Sequence, residues 1–232
     1  MPFRFCEFFM TKILHPLDFT EKPLSEMTSE AKAFYEDIRK RRTVREFSGR
    51  DVPREIIENA ILAAGTAPSG ANHQPWHFTV IGKGPLRTKL REAAEAEERA
   101  FYNKKASQEW LEALEPLGTD DHKPYIEIAP WIICVFAQRR GGVTVGENRK
   151  NYYVNESVGI ACGMMLTALH RSGLVTLTHT PNPMTFMSEL CGRPKDEKPF
   201  MLIVAGYPTE DATVPEHALI KKSLSDISDF IE

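Results

Sequence analysis

The sequence predicts an α+β sandwich, a central mixed β-sheet with helices around it. Three observations carry this. Helical patterns outnumber strand patterns. The two do not follow the strict βαβα alternation of a doubly wound fold. The longest apolar run, residues 129–137, is too short for a helix of its own and reads as a buried strand. A chain of 232 residues, 42% hydrophobic and 26% charged, can bury a sizeable core as one domain or two small ones.

Residues 1–28 read as an arm punctuated by Pro16 and Pro23, and residues 29–232 as the folded domain. Ser29 is a helix cap ahead of Ala33, Phe34, Asp37 and Ile38 at helical spacing. Pro53 opens a second helix whose apolar stripe is Ile56, Ile57, Ala60, Ile61 and Ala64. A strand over residues 78–81 follows, and Pro85 starts a helix through Leu86, Leu90 and Ala94 that continues as a polar helix past Glu98 to Tyr102. Residues 103–127, broken by Pro116, Gly118 and Pro124, read as a surface excursion, and residues 138–150 as a basic loop. Residues 153–170 form a helix apolar nearly all round, with Gly159, Ala161 and Gly163 open to close approach by another helix. It is either a central core helix or a subunit interface. Residues 175–178 and 200–205 are strands, with a short helix at Ser188, Glu189 and Leu190 between them. The tail from about residue 207 has little core of its own and suits packing on a partner subunit.

The net charge of −3 gives no reason to expect nucleic acid or an anionic membrane as partner. Arg4, Glu7 and Lys12 interrupt any signal-peptide core, and no apolar run spans a bilayer, so the expected location is cytoplasmic. Cys6, Cys134, Cys162 and Cys191 have no metal or disulfide spacing and predict reduced thiols. No GxGxxG, HExxH or GxSxG is present, and no metal site is expected.

Two stretches stand out. Residues 39–45 hold five cations and a hydroxyl, Arg39, Lys40, Arg41, Arg42, Thr43 and Arg45. They are either a solvated helix end or a phosphate grip, since Arg holds two oxygens at once and Thr43 adds a donor. Residues 66–78 begin with small residues, Pro68, Ser69, Gly70 and Ala71, and end in Gln74, Pro75 and Trp76. They are either a tight helix-to-strand connection or a loop that brings its backbone close to a ligand.

Taken together, Arg41-Arg42-Thr43-Val44-Arg45, Thr66-Ala67-Pro68-Ser69-Gly70-Ala71 and Gln74-Pro75-Trp76 resemble the FMN-binding nitroreductase superfamily, and within it the iodotyrosine deiodinases. The likeness runs over about residues 30–225, through Asn151-Tyr152-Tyr153-Val154-Asn155-Glu156, Gly192-Arg193-Pro194 and Gly206-Tyr207-Pro208. It implies a nitroreductase-like sandwich, an intertwined homodimer and FMN at the subunit interface. Arg41, Arg42, Thr43 and Arg45 would hold the phosphate and neighbouring polar atoms, and Pro68, Ser69 and Gly70 would line the flavin from the other subunit. Thr178, His179 and Thr180 match a Thr triplet beside the isoalloxazine, with His in the middle place. Thr180, then Thr178, is the hydroxyl expected on flavin N5. Lys221, or Lys222 beside it, takes the place of an Arg on the phosphate; Asn72 has no assigned role.

The same likeness implies a halogenated tyrosine as substrate. Glu98 would meet its α-ammonium, Lys123 its α-carboxylate, and Tyr102 would cover the ring and donate to the carboxylate. Glu98 and Tyr102 are four apart on one helix face, and residues 95–127 would act as a lid over the ligand. The Ala71 N–H would donate to the phenolate oxygen. The implied reaction is FMN-dependent reductive dehalogenation of iodotyrosine to tyrosine and halide, with an unidentified reductant. The other readings are a general NAD(P)H-dependent nitroreductase or quinone reductase, and a flavin- or halotyrosine-binding protein without turnover.

Overall fold

The structure is a computed structural model that describes residues 13–231. Cys6 and residues 1–12 of the expected arm lie outside the described residues. By its contacts the chain divides into residues 1–36 and 37–232. In the first unit, residues 13–23 form no helix or strand and are exposed, with Ile13, Leu14, Leu17 and Phe19 among the exposed apolar side chains. Helix α1 (Leu24–Ile38) begins five residues before Ser29, with no buried residue. Ser29 is therefore inside the helix. Glu30, near the helix start, pairs with Lys22 just ahead of it at 2.5 Å.

The second unit is built on a four-stranded sheet in the order β1–β2–β6–β5. Its strands are β1 (Trp76–Ile81), β2 (Trp131–Gln138), β5 (Val175–His179) and β6 (Glu197–Gly206), and every pairing among them is antiparallel. The mixed character comes from one parallel bridge, Thr43 to Thr176, on the free side of β5. Residues 132–137 of β2 are buried throughout, as expected of the apolar run. The basic loop after it is a small hairpin, β3 (Arg140–Gly141) with β4 (Arg149–Lys150).

Each sheet face has its own apolar layer. On one face, α2 (Arg54–Gly65) and α6 (Val154–Arg171) pack Ile57, Ala60, Val158, Ala161 and Met165 against Ile133, Val135 and Ile203. On the other, α3 (Pro85–Ala100), α5 (Tyr125–Ile128) and α7 (Thr185–Leu190) bring Leu90, Ile126 and Met187 onto Cys134, Phe136 and Leu202. A helix α4 (Gln108–Leu114) lies within the excursion after α3, and α8 (Leu224–Ile227) within the tail. Gly159 and Gly163 of α6 face open space, beside exposed Ile160, so the core role and the open face belong to different sides of that helix. Among the described residues no helix is long and apolar enough to cross a membrane, and no cluster of metal-ligating side chains occurs.

Arg87 ties the second layer together. It is 2% exposed, and its guanidinium donates to three main-chain carbonyls, Ile81, Ala129 and Ile126. Burial draws its pKa down to about 10, so it stays charged at neutral pH. It fixes the start of α3 against the end of β1 and the α5 turn.

Candidate active site

Residues 41–48 run extended between α1 and α2. The Val44 N–H donates to Thr176 O at 3.1 Å, and Phe47 bridges Pro208. Extended backbone alternates its side chains, and this splits the basic cluster. Arg41, Thr43 and Arg45 share one side. Val44, on the other, is buried, and the Arg42 beside it folds back so that Nη1 donates to Arg39 O at 2.5 Å and Arg41 O at 2.7 Å. Of the four expected phosphate residues, Arg41, Thr43 and Arg45 thus share one side, while Arg42 lies on the Val44 side, lining with Arg41 and Val44 a cleft of about 350 Å³, and its Nε is buried without a partner.

Thr43 borders two clefts. One, about 260 Å³, joins Arg41 and Thr43 to Thr167 of α6 and to Thr176 and Thr178 of β5. The other, about 330 Å³, joins Thr43, Arg45 and Glu46 to Leu117, Gly118 and residues 213–215. The tail is held here by Glu46, whose carboxylate accepts the Thr213 N–H at 2.5 Å. The strand period sets the triplet: Thr178 and Thr180 are exposed, while His179 between them is buried. His179 stacks edge-on against Tyr125 at 6.0 Å, and its Nε2 has no partner. Burial, then the charges of Lys123 and Arg45, lowers its pKa to about 3, so it is neutral.

The three expected substrate residues meet. Glu98 is near the end of α3, and Tyr102 sits in the π-turn Phe101–Lys105 that follows. Phe101 packs edge-on against both Tyr102 and Trp110 of α4. Lys123 Nζ lies 3.3 Å from Glu98 Oε2, with side chains only 3% and 13% exposed. Nζ also donates to Asp120 O, and the Tyr102 hydroxyl donates to the neighbouring Thr119 O at 3.1 Å. Lys123 is therefore a buried, fixed residue, contrary to its reading as part of a surface excursion. The excursion carries Tyr125 and Ile126 into the core, and this draws Lys123 in with them. Burial raises the Tyr102 pKa, with Glu98 and Asp120 adding to it and the Arg45 charge opposing. Burial and Glu98 likewise raise that of Tyr125, again opposed by Arg45. The cation on the Thr43 side is thus within electrostatic reach of the Glu98, Tyr102 and Lys123 group.

The loop over residues 66–78 is strained where its backbone is exposed. Ala71, Asn72 and Gln74 have φ of 52°, 55° and 50°, a region that costs non-glycine residues energy. Gly70 is outside that region; it is needed for space, because a Cβ there would stand 2.4 Å from Tyr152 O. The turn is held by Gln74 N–H on Ser69 Oγ at 2.9 Å, Gly70 N–H on Ser157 Oγ at 3.3 Å, and His73 Nδ1 with Asn151 Oδ1 at 2.9 Å. Among the described residues nothing accepts the Ala71 N–H. The two clefts at Thr43 are lined neither by residues 68–71 nor by Lys221, which is exposed and donates to Ala218 O and Ile220 O of its own turn. One chain brings together Arg41, Thr43, Arg45, Thr178 and the substrate group, but not these residues.

The model of the Nitroreductase family matches residues 38–207. The chain belongs to the nitroreductase family. Its relatives within that family are specific. An iodotyrosine deiodinase of Haliscomenobacter hydrossis is 53% identical over 191 residues, covering 82% of this chain and 86% of that protein. Iodotyrosine deiodinase 1 of Mus musculus is 44% identical over 213 residues, 91% of this chain and 74% of that one. Among solved structures, an oxidized iodotyrosine deiodinase bound to FMN and 3-iodo-L-tyrosine superposes with a TM-score of 0.66 at 29% identity, over 76% of this chain and 90% of that chain. In this nitroreductase-family chain the residues that could hold an anionic cofactor are Arg41, Thr43 and Arg45. Sequence reasoning missed Glu95, which accepts the Lys123 N–H at 2.8 Å, and Asn151 and Ser157, which brace the strained loop. Glu95 is three residues before Glu98 on one helix face, a spacing visible in the sequence.

Proposed function

We propose that this protein is an FMN-dependent reductive dehalogenase of halogenated tyrosines, converting iodotyrosine to tyrosine and iodide. The observation that carries the reading is the buried Glu98–Lys123 pair, joined to Tyr102 through Thr119, the residue that follows Leu117 and Gly118 of the Thr43–Arg45 cleft. An amino-acid zwitterion brings one charge of each sign. Entering between Glu98 and Lys123, it replaces one ion pair by two and leaves no buried charge uncompensated. A nitroaromatic or quinone offers no such exchange.

The residues present fit FMN. Arg41, Thr43 and Arg45 supply charge and a hydroxyl for its phosphate and polar atoms, with Arg42 Nε as a further unpartnered donor. Thr178 lines the Arg41 cleft, Thr180 is exposed two residues further on, and Thr180 is the hydroxyl we assign to N5. When bound, FMN supplies the two electrons that, with one proton, replace the carbon–halogen bond by carbon–hydrogen and release halide. The chain's own part is to bind and orient. Glu98 accepts from the α-ammonium, Lys123 and Tyr102 donate to the α-carboxylate, and the free Ala71 N–H donates to the phenolate oxygen.

Pro68, Ser69, Gly70, Ala71 and Lys221 would complete the site from a second copy in an intertwined homodimer. Supporting this are the open face of α6 at Gly159, Ile160 and Gly163 and the exposed Leu219, Ile220, Leu224, Ile227 and Phe230 of the tail. Residues 95–127 form the lid, and residues 207–231 the tail that reaches the second copy. The location we assign is cytoplasmic.

An absorbance spectrum of the purified protein, titrated with 3-iodotyrosine, tests the reading. A flavin spectrum perturbed by iodotyrosine, with iodide release under dithionite, is expected. Tight binding without iodide release, or faster turnover of a nitroaromatic with NADPH than of iodotyrosine, would overturn it.

A further inference from the structure

Glu95 is a buried carboxylate that no ligand can reach. It is 7% exposed, and both of its oxygens are engaged by the protein. Oε1 accepts the Lys123 N–H at 2.8 Å, and Oε2 accepts from Arg91 Nη1 at 2.9 Å, with Arg99 Nη1 at 3.9 Å. Arg91 in turn places its Nε 2.8 Å from Glu127 Oε1, on the far side of the α5 turn. Glu95 and Glu98 are one helical turn apart on α3, and both act on Lys123. One holds its main chain and the other its ammonium.

We propose that Glu95 is the positioning residue of the substrate site, fixing Lys123 while its ammonium changes partners from Glu98 to a substrate carboxylate. The inference rests on the zwitterion reading of Glu98 and Lys123. When substrate enters, the direct Glu98–Lys123 contact is given up. What then keeps the lysine in place, besides Asp120 O and Thr119 Oγ1 on its ammonium, is its own main chain. Pro124 follows it, so the segment has no N–H at the next position, and the Lys123 N–H is the donor available to anchor the start of the turn. A buried N–H without an acceptor is costly, and Glu95 supplies a charged one. The Arg91 guanidinium neutralises that carboxylate and ties it to α5, so the anchor is referenced to both elements that carry the site.

The expected signature is a split between binding and chemistry. In the FMN-loaded enzyme, Glu95→Ala should raise KM for 3-iodotyrosine by about tenfold or more and leave kcat within about threefold, since uniform binding is lost. Glu95→Gln keeps an acceptor for the Lys123 N–H and should return KM to within about threefold of the parent. Hydrogen exchange of the substrate-free holoprotein gives a readout independent of turnover. The Lys123 amide should exchange at least about tenfold faster in Glu95→Ala and stay protected in Glu95→Gln. Should Glu95→Ala not fold, Arg91→Ala loosens the same carboxylate and should raise KM alone by a smaller factor. Equal losses in kcat and KM, or Glu95→Gln behaving as Glu95→Ala, would overturn the proposal. If the parent enzyme releases no iodide, the dehalogenase reading fails. Unchanged exchange at Lys123 would instead sink the role of Glu95.

Discussion

The Lys123 ammonium lies 3.3 Å from the Glu98 carboxylate, and the two side chains are almost closed to solvent. A buried pair of this kind is sensitive to losing one member, because the other is left charged and unpaired, at about 3–5 kcal/mol. Glu98→Gln and Lys123→Met should each lower stability in denaturant titrations, by less than that limit because Asp120 O and Thr119 also hold Lys123. The double variant should recover much of the stability, yet iodotyrosine affinity should stay reduced by about tenfold or more, as expected for lost charge-assisted bonds. Additive stability losses would show that the contact carries no coupling.

Gly70→Ala probes the loop without touching a charge. The added methyl would meet Tyr152 O at 2.4 Å and Tyr152 C at 2.9 Å, both main-chain atoms that no rotamer change can move. Overpacking of this order costs about 1–3 kcal/mol or more. The Gly70 N–H would also be pushed off Ser157 Oγ. A fall in melting temperature together with weaker FMN retention is expected. A variant with unchanged stability would mean that the loop relaxes around the methyl.

Arg41 and Arg42 should differ. Arg41 shares its cleft with Thr43 and Thr178, while Arg42 donates to Arg39 O and Arg41 O. Arg41→Met should therefore cost more FMN affinity, about 1.5–3 kcal/mol for a lost charged hydrogen bond. Arg42→Met should act first on stability. Flavin fluorescence during dilution measures both. An equal loss of FMN in the two variants would mean that Arg42 turns to the phosphate on binding.

What the sequence revealed follows periodicity. The four sheet strands and the long helices could be placed from apolar spacing, and the basic segment and small-residue loop from composition. Three things were not legible there. Residues 103–127 look polar, yet Tyr125 and Ile126 enter the core and carry Lys123 inside, because burial depends on which neighbours the chain folds against. The side on which Arg42 points was hidden because the extended segment, and so its alternation, is fixed by the Thr43–Thr176 bridge to a strand far along the chain. In the small-residue loop Ala71, Asn72 and Gln74 carry the backbone strain, while Gly70 answers to Tyr152, distant in sequence. Contacts at long sequence separation decided each of these.

His179 gives a pH prediction with a definite sign. Its imidazole is 8% exposed, faces the Tyr125 ring, and feels the Lys123 and Arg45 cations, so its folded pKa is about 3 against an ordinary value of about 6.5. Between those two values the unfolded chain binds a proton that the folded chain refuses. Stability from this group is complete above pH ~6.5 and is lost as pH falls toward ~3, with a slope approaching ~1.4 kcal/mol per pH unit. At pH ~4 the loss is about 3 kcal/mol. His179→Thr restores the residue type of the Thr triplet and removes the titration. It also gives up the packing on Tyr125, so its stability at neutral pH should fall. Its further loss between pH ~7 and pH ~4 should nevertheless be smaller than the parent's by about the amount above. Urea unfolding at the two pH values measures this difference. Equal losses in parent and variant would mean that His179 takes up its proton in the folded state, with water or a carboxylate reaching Nε2.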